Sequence, residues 1–123
     1  IKQNAEYCLN CKNPQCRTGC PVGNNFPAFI QKVKEDNLEE AYKILCETTA
    51  IPAICGRICP HQKQCQGKCI RGIKSEPVSI GEIEAYVGDW ALNNTNSLLN
   101  CCSSYWWRTI RVNCCGVFEK KWI

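Results

Sequence analysis

The spacing of the cysteines constrains this chain more than any other feature. Eight of its thirteen cysteines form two groups that are far apart in the sequence. The groups are Cys8, Cys11, Cys16 and Cys20, and then Cys55, Cys59, Cys65 and Cys69. Pro21 follows Cys20 directly and Pro60 follows Cys59, as proline follows the last cysteine of a bacterial ferredoxin run. Because each group resembles a loop that wraps around a cubane, the chain is predicted to hold two [4Fe–4S] clusters and to carry electrons.

Two other chemistries can use many cysteines. Structural zinc sites favour paired C-x2-C hairpins, and only Cys8 and Cys11 have that spacing. Disulfides belong to oxidising compartments, and an odd number of cysteines fits a disulfide framework poorly. Residues 1–6 are polar and have no leader character, so we expect a cytoplasmic protein. Clusters are therefore favoured over zinc, and zinc over disulfides.

Charge and hydropathy exclude two classes of partner. The formal net charge of +4 counts every thiol as neutral, and thiolate ligands around two cluster cores would bring it close to zero. Lysine and arginine are scattered and form no basic stripe, so no nucleic-acid partner is expected. No apolar run approaches the length of a membrane-spanning helix, so no membrane partner is expected either.

Apolar periodicity predicts three helices outside the cysteine groups. The first begins near Pro27 and ends at residues 35–37, and the second covers residues 38–47 with Cys46 on its buried face. The third begins after Ser79, which has capping-box spacing to Glu82, and ends near residues 93–94. Its apolar stripe is predicted to contain Ile80, Ile83, Tyr86, Val87 and Trp90. Both cysteine groups are predicted to be loops on cofactors, and the fold class is therefore all-α.

Several motifs occur in an order typical of one family. They are YCLNCKNPQC at 7–16, GCPVG at 19–23, ICGRICP at 54–60, EPVSIG at 76–81 and AYVGDW at 85–90. Over about residues 5–94 the chain resembles the N-terminal iron–sulfur domain of the NADPH-dependent glutamate synthase small subunit, and dihydropyrimidine dehydrogenase has a similar domain. The resemblance implies that residues 1–94 form a small α-helical ferredoxin-like domain wrapped on two clusters.

The resemblance also implies how each cluster is bound. Cys8, Cys11 and Cys16 would bind one cluster with Cys69 as the fourth ligand. Cys20, Cys59 and Cys65 would bind the other cluster, with Glu84 as a non-cysteine fourth ligand. Cys55 would then stay outside both sites, whereas thiolate preference alone would choose Cys55 as the eighth ligand.

Two further residues lie beside these cysteines. His61 follows Cys59 and Pro60 and is expected to be exposed to solvent. The alternatives, in falling order, are a surface hydrogen bond that tunes the cluster and a role as a cluster ligand. Arg57 lies between two cysteines and could pair either with cluster charge or with a carboxylate.

By resemblance, the chain is an electron-transfer module of a flavin-dependent NADPH oxidoreductase. Its partner would be a large oxidoreductase subunit or a flavin domain, and FAD and NADPH are expected only in a portion outside this chain. No general base, nucleophile or nucleotide loop is recognised, so the chain alone is not expected to be catalytic. The alternatives are the same module in a ferredoxin–NADP transhydrogenase or a dihydropyrimidine dehydrogenase-like complex, and a zinc-stabilised protein-interaction module.

Residues 95–123 differ from the rest of the chain because they lack helical period, cap signals and turn chemistry. In the resembled proteins a flavin-binding Rossmann unit begins at this place with a glycine-rich fingerprint. Trp106 and Trp107 are both encoded by TGG, and shifting the frame by one base gives two glycines within a possible fingerprint. We therefore predict that residues 95–123 are a non-native or disordered tail produced by a frameshift.

Overall fold

The computed structural model describes residues 1–94, and these residues are helical, with no strand among them. The α-helices are α1 (Lys2–Glu6), α2 (Gln15–Thr18), α3 (Phe26–Lys34), α4 (Leu38–Cys46), α5 (Pro52–Ile58) and α6 (Ile80–Asn93). Three short 3-10 helices, His61–Lys63, Gln66–Lys68 and Ile70–Ile73, connect α5 to α6. The predicted all-α fold class is confirmed. The predicted frameshifted tail lies outside the described residues and stays a prediction. No helix among residues 1–94 combines the length and apolar character that a membrane crossing requires.

The helices α3 and α4 occur where apolar periodicity predicted them. Pro27 lies in the first turn of α3, where its missing N–H is not needed. Asp36 ends the connection in a left-handed conformation with φ of 58°. The side-chain oxygen of Asn37 then caps α4 by accepting a hydrogen bond from the Glu40 N–H at 3.2 Å. Local sequence signals therefore determine this helical pair.

Two details predicted for α6 are wrong. Ser79 makes no capping hydrogen bond, and Glu82 instead accepts one from Asn4 Nδ2 at 3.1 Å, because the fold brings α1 close to the start of α6. Tyr86 is 40% exposed and does not belong to the buried stripe, which continues instead through Ile83, Val87 and Ala91.

The helices α1, α2 and α5 lie in segments that were predicted to be loops. Pro52 starts α5, because its fixed φ suits a first helical turn. The cysteine groups are therefore partly helical, and Cys16 lies on α2 while Cys55 lies on α5.

The core is built from α3, α4 and α6. Its fully buried side chains include Phe26, Phe29, Ile30, Leu45, Ile80 and Ile83. The rings of Phe26 and Phe29 meet edge to face with centroids 6.0 Å apart. Cys46 is buried on this apolar face, as predicted. Burial of each large apolar side chain contributes about 1.5–3 kcal/mol, so this core gives the cysteine-bearing segments a stable support.

Two glycines allow α5 and α6 to pack at short distance. A Cβ atom on Gly88 would lie 2.3 Å from the backbone nitrogen of Ala53, and one on Gly56 would lie 2.4 Å from that of Ala85. Neither position can hold a larger side chain unless the helices separate. This close crossing brings Cys55 of α5, and Cys59 directly after it, to the same cavity as Glu84 on α6.

Candidate metal centre

Four thiols from both cysteine groups line one pocket, which we call the first site. Cys8 and Cys11 lie between α1 and α2, Cys16 lies on α2, and Cys69 follows the 3-10 helix Gln66–Lys68. Burial, together with the neighbouring thiols of Cys69 and Cys8, raises the pKa of Cys16 to about 11. The structure thus brings Cys69 to the three cysteines with which the resemblance had grouped it.

Two basic side chains form hydrogen bonds with backbone carbonyl groups beside the first site. Lys34 Nζ donates a hydrogen bond to the Cys8 carbonyl at 2.9 Å. Arg71 Nε donates to the Tyr7 carbonyl at 3.1 Å, and its guanidinium carbon lies 4.1 Å from the centroid of the Tyr7 ring. The loop before Cys8 is therefore fixed directly to the segment that follows Cys69.

Five thiol and carboxyl groups that could bind iron line a second cavity of about 250 Å3, which we call the second site and which His61 also lines. They are Cys20, Cys55, Cys59, Cys65 and Glu84. Burial raises the pKa of Cys59, and the neighbouring Cys55 and Glu84 add to this effect. Burial also raises the pKa of Cys65 to about 12. The site thus contains all four residues that the resemblance had grouped, together with Cys55.

Glu84 is the least conventional member of the second site. Its side chain is only 3% exposed, and burial raises its pKa to about 7. Within residues 1–94 its carboxyl group makes no hydrogen bond and no ion pair, and among the described residues that line the cavity none is Lys or Arg. A carboxyl group buried in this way is either protonated or paired with a cation, so a metal centre in the cavity would supply the charge that its ionised form lacks.

His61 is buried, so its predicted exposure is wrong. It is 9% exposed, with Nδ1 3.3 Å from Cys65 Sγ and Nε2 3.2 Å from the Gly56 carbonyl oxygen. The ring fits against α6 only because Gly81 has no side chain. A Cβ atom at Gly81 would lie 2.5 Å from the His61 ring. Sequence reasoning considered a cluster-tuning role only for a surface histidine, and the signal for burial lies in glycines that become neighbours only in the fold.

The other two uncertain residues also have definite partners. Arg57 Nη2 donates to Asp89 Oδ2 at 2.6 Å, so it pairs with a carboxylate rather than with cluster charge. Cys55 Sγ lies 3.3 Å from Thr49 Oγ1 at the edge of the second site.

The donor set of each site fits a cubane better than a single ion. All eight clustered cysteines are free thiols, and within residues 1–94 no group of three or more His, Cys, Asp and Glu side chains is arranged to hold one metal ion. A structural zinc ion needs such a group, whereas each thiolate of a [4Fe–4S] cluster binds a different iron. The cavity of the first site measures only about 20 Å3, so the fit there rests on its four thiols rather than on volume.

Known proteins contain the same domain. A family model described as dihydropyrimidine dehydrogenase domain II, 4Fe–4S cluster, matches residues 1–96. The glutamate synthase (NADPH) small chain of Halomonas elongata is 40% identical over 87 residues, which are 71% of this chain and 18% of that protein. The same small chain of Escherichia coli K12 is 38% identical over 90 residues, which are 73% of this chain and 19% of that protein.

A further relative has a different description. The putative oxidoreductase UacF of Escherichia coli K12 is 37% identical over 89 residues, which are 72% of this chain and 14% of that protein. The chain therefore spans less than a fifth of the length of these relatives. Its motifs, its helical fold and the family match over residues 1–96 lead to one assignment, and the predicted resemblance is confirmed. The chain belongs to the 4Fe–4S domain family of dihydropyrimidine dehydrogenase domain II.

Proposed function

We propose that this iron–sulfur domain carries electrons through two [4Fe–4S] clusters within a flavin-dependent NADPH oxidoreductase similar to glutamate synthase. The observation that carries the proposal is the convergence of both cysteine groups on two separate sites. Two neighbouring clusters form a path for single electrons, and the protein around them sets burial, hydrogen bonding and charge.

The family resemblance selects the proposed ligands, and all of them line the two sites. Cys8, Cys11, Cys16 and Cys69 would hold the first cluster, and Cys20, Cys59, Cys65 and Glu84 would hold the second. The carboxylate of Glu84 would meet iron and so gain the cationic partner that its buried position needs.

Phe26 supports a direct connection between the two sites. It is 2% exposed and lines both cavities, so one buried side chain lies against both sites. The helix α2 joins them a second time, because Cys16 lies within it and Cys20 follows shortly after its end. An electron would therefore pass between the clusters through packed protein from which water is excluded.

The finer assignment concerns the partners. Two of the relatives described above are small chains of an NADPH-dependent glutamate synthase. We infer that electrons from NADPH reach this domain through FAD on a flavin domain and leave toward a large oxidoreductase subunit. FAD and NADPH would both bind outside the described residues. We place the protein in the cytoplasm.

Anaerobic reconstitution with iron and sulfide tests the cluster assignment. About eight irons and eight sulfides per chain, with broad absorption near roughly 400 nm, are expected for two cubanes. Cys69→Ala should remove the cluster that Cys8, Cys11 and Cys16 hold, although Cys69 belongs to the other cysteine group. A colourless chain with stoichiometric zinc would overturn the proposal in favour of a zinc-stabilised module.

The flavin part of the proposal needs a separate experiment. Dithionite should reduce the reconstituted chain directly, whereas NADPH should reduce it only when a glutamate synthase flavin domain is added. Rapid reduction by NADPH without that domain would contradict the proposed division of labour.

A further inference from the structure

The second site has one more thiol or carboxyl group than a cubane can use. A [4Fe–4S] cluster presents four irons to the protein, and five such groups line this cavity beside His61, whose two ring nitrogens already lie within hydrogen-bond distance of Cys65 Sγ and the Gly56 carbonyl oxygen. Four of them, Cys20, Cys59, Cys65 and Glu84, are the ligands assigned above. The fifth is the thiol of Cys55, and its presence needs a separate explanation.

The helix α5 directs Cys55 into this cavity. Cys55 and Cys59 are one helical turn apart, and the Cys59 N–H donates to the Cys55 carbonyl at 3.2 Å. Both thiols face the cavity, and the Cys55 thiol lies close enough to that of Cys59 to raise its pKa. Cys55 Sγ lies 3.3 Å from Thr49 Oγ1 and also forms a hydrogen bond with the Cys59 side chain. Because hydrogen bonds of a thiol are weak, neither contact prevents Cys55 from binding iron.

Glu84 differs from the other ligands in its chemistry. A carboxylate is a hard ligand, whereas thiolates are the soft ligands that select iron–sulfur clusters. The iron bound by Glu84 is therefore the one whose protein ligand is most easily displaced. Cys55 is the thiol placed to replace that ligand, since Cys55 and Glu84 line one cavity.

We propose that Cys55 is a reserve ligand of the second cluster, which replaces Glu84 at its iron when the carboxylate is displaced. This inference rests on the proposed function, because it assumes a cluster at this site. In the exchange the Fe–O bond to Glu84 breaks, an Fe–S bond to Cys55 forms, and the thiol proton passes to the released carboxylate. No electron is gained or lost, so the exchange needs no oxidant or reductant. It keeps a four-iron cluster complete where loss of the ligand would otherwise release an iron.

Single and double variants of the full chain test the proposal. Cys55→Ala should leave both clusters and their spectra unchanged, because Glu84 remains. Glu84→Ala should retain about eight irons per chain, with the second cluster's electron paramagnetic resonance signal shifted by the new thiolate ligand. The double variant should lose that signal or convert it to a three-iron form, while the first cluster's signal stays and shows that the domain still folds. The matched control combines Cys55→Ala with Glu82→Ala, which removes an exposed glutamate from the same helix and should change neither cluster.

Three outcomes overturn the inference. The first is loss of the second cluster in Glu84→Ala alone, because Cys55 would then provide no replacement. The second is loss of that cluster in Cys55→Ala alone, because Cys55 would then be a resident ligand. The third is an unchanged signal in Glu84→Ala, because Glu84 would then not bind iron. Failure of the unmodified chain to take up clusters is a different result, which contradicts the proposed function itself.

Discussion

Substitution of Gly88 by alanine tests whether the close packing of α5 against α6 forms the second site. In an ordinary helix interior this change stabilises the fold by about 1 kcal/mol. Here the new Cβ atom would lie 2.3 Å from the Ala53 nitrogen and 2.5 Å from its Cα, about 1 Å short of an ordinary contact. Backbone atoms cannot rotate away, so α5 must move outward by a similar distance.

The expected magnitude follows from these two opposing effects. Overpacking of a core costs about 1–3 kcal/mol, and a backbone clash belongs to the upper part of that range. After the gain in helix propensity, we expect a net destabilisation of about 2 kcal/mol. For a domain of this size that lowers the unfolding midpoint by about 10 °C. The shift of α5 also moves Cys59 away from Glu84, so the second cluster should be lost before the first.

The assay is thermal unfolding by circular dichroism, combined with iron content and cluster-resolved electron paramagnetic resonance of the reconstituted chain. Gly72→Ala is the matched control, because a Cβ atom there would lie 3.5 Å from its nearest neighbour, Pro77 Cβ, and should be tolerated. The sign of the change decides the test. A Gly88→Ala chain that unfolds at or above the temperature of the unmodified chain, with both clusters intact, would refute the packing argument.

Three further substitutions probe the site and its surroundings. Burial raises the pKa of Glu84 from 4.5 to about 7, so the folded chain holds this proton more tightly than the unfolded chain does. In the cluster-free chain, the free energy of unfolding should therefore fall by up to about 3 kcal/mol as the pH rises through this interval. Glu84→Gln should remove that fall in denaturant titrations at pH 5 and pH 8. His61→Phe keeps a ring but removes Nδ1, which lies 3.3 Å from Cys65 Sγ. In a redox titration, the reduction potential of the second cluster alone should therefore shift. Equal shifts of both clusters would contradict this role. Asp89→Asn removes an exposed partner of Arg57, and its small effect on the thermal midpoint should shrink further at high salt.

The helices α3, α4 and α6 could be predicted because their apolar residues face the core at helical spacing. The helix α5 gives no such signal. Its apolar side chains Ile54 and Ile58 are 48% and 72% exposed, and its inner face is formed by Cys55 and Gly56. A helix that half-buries cysteine and glycine while exposing isoleucine does not show the usual periodicity. It becomes recognisable only when α6 and the cavity are in place.

The assignment of residues to the two sites needed the family resemblance in addition to cysteine spacing. Cysteine spacing predicted cluster chemistry, but it would have grouped Cys69 with Cys55, Cys59 and Cys65 as neighbours in the sequence. Only the family resemblance assigned Cys69 to the first site and introduced Glu84 at the second. The structure brings the same residues together, because the 3-10 helices after α5 carry the chain back toward α2.

Each site takes cysteines from both sequence groups, and this arrangement couples cluster binding to folding. The segments around Cys8 and Cys69 are joined by single half-buried contacts such as Arg71 to Tyr7, whereas α3, α4 and α6 share a buried apolar core. A cluster at either site would crosslink parts of the chain that are far apart in sequence, and metal binding then contributes directly to the free energy of folding. Phe26 is buried and lines both cavities, so the same core side chain would support both clusters. Because thiolates are preferred over carboxylates as ligands of iron–sulfur clusters, the carboxylate-ligated second site should lose its cluster before the first.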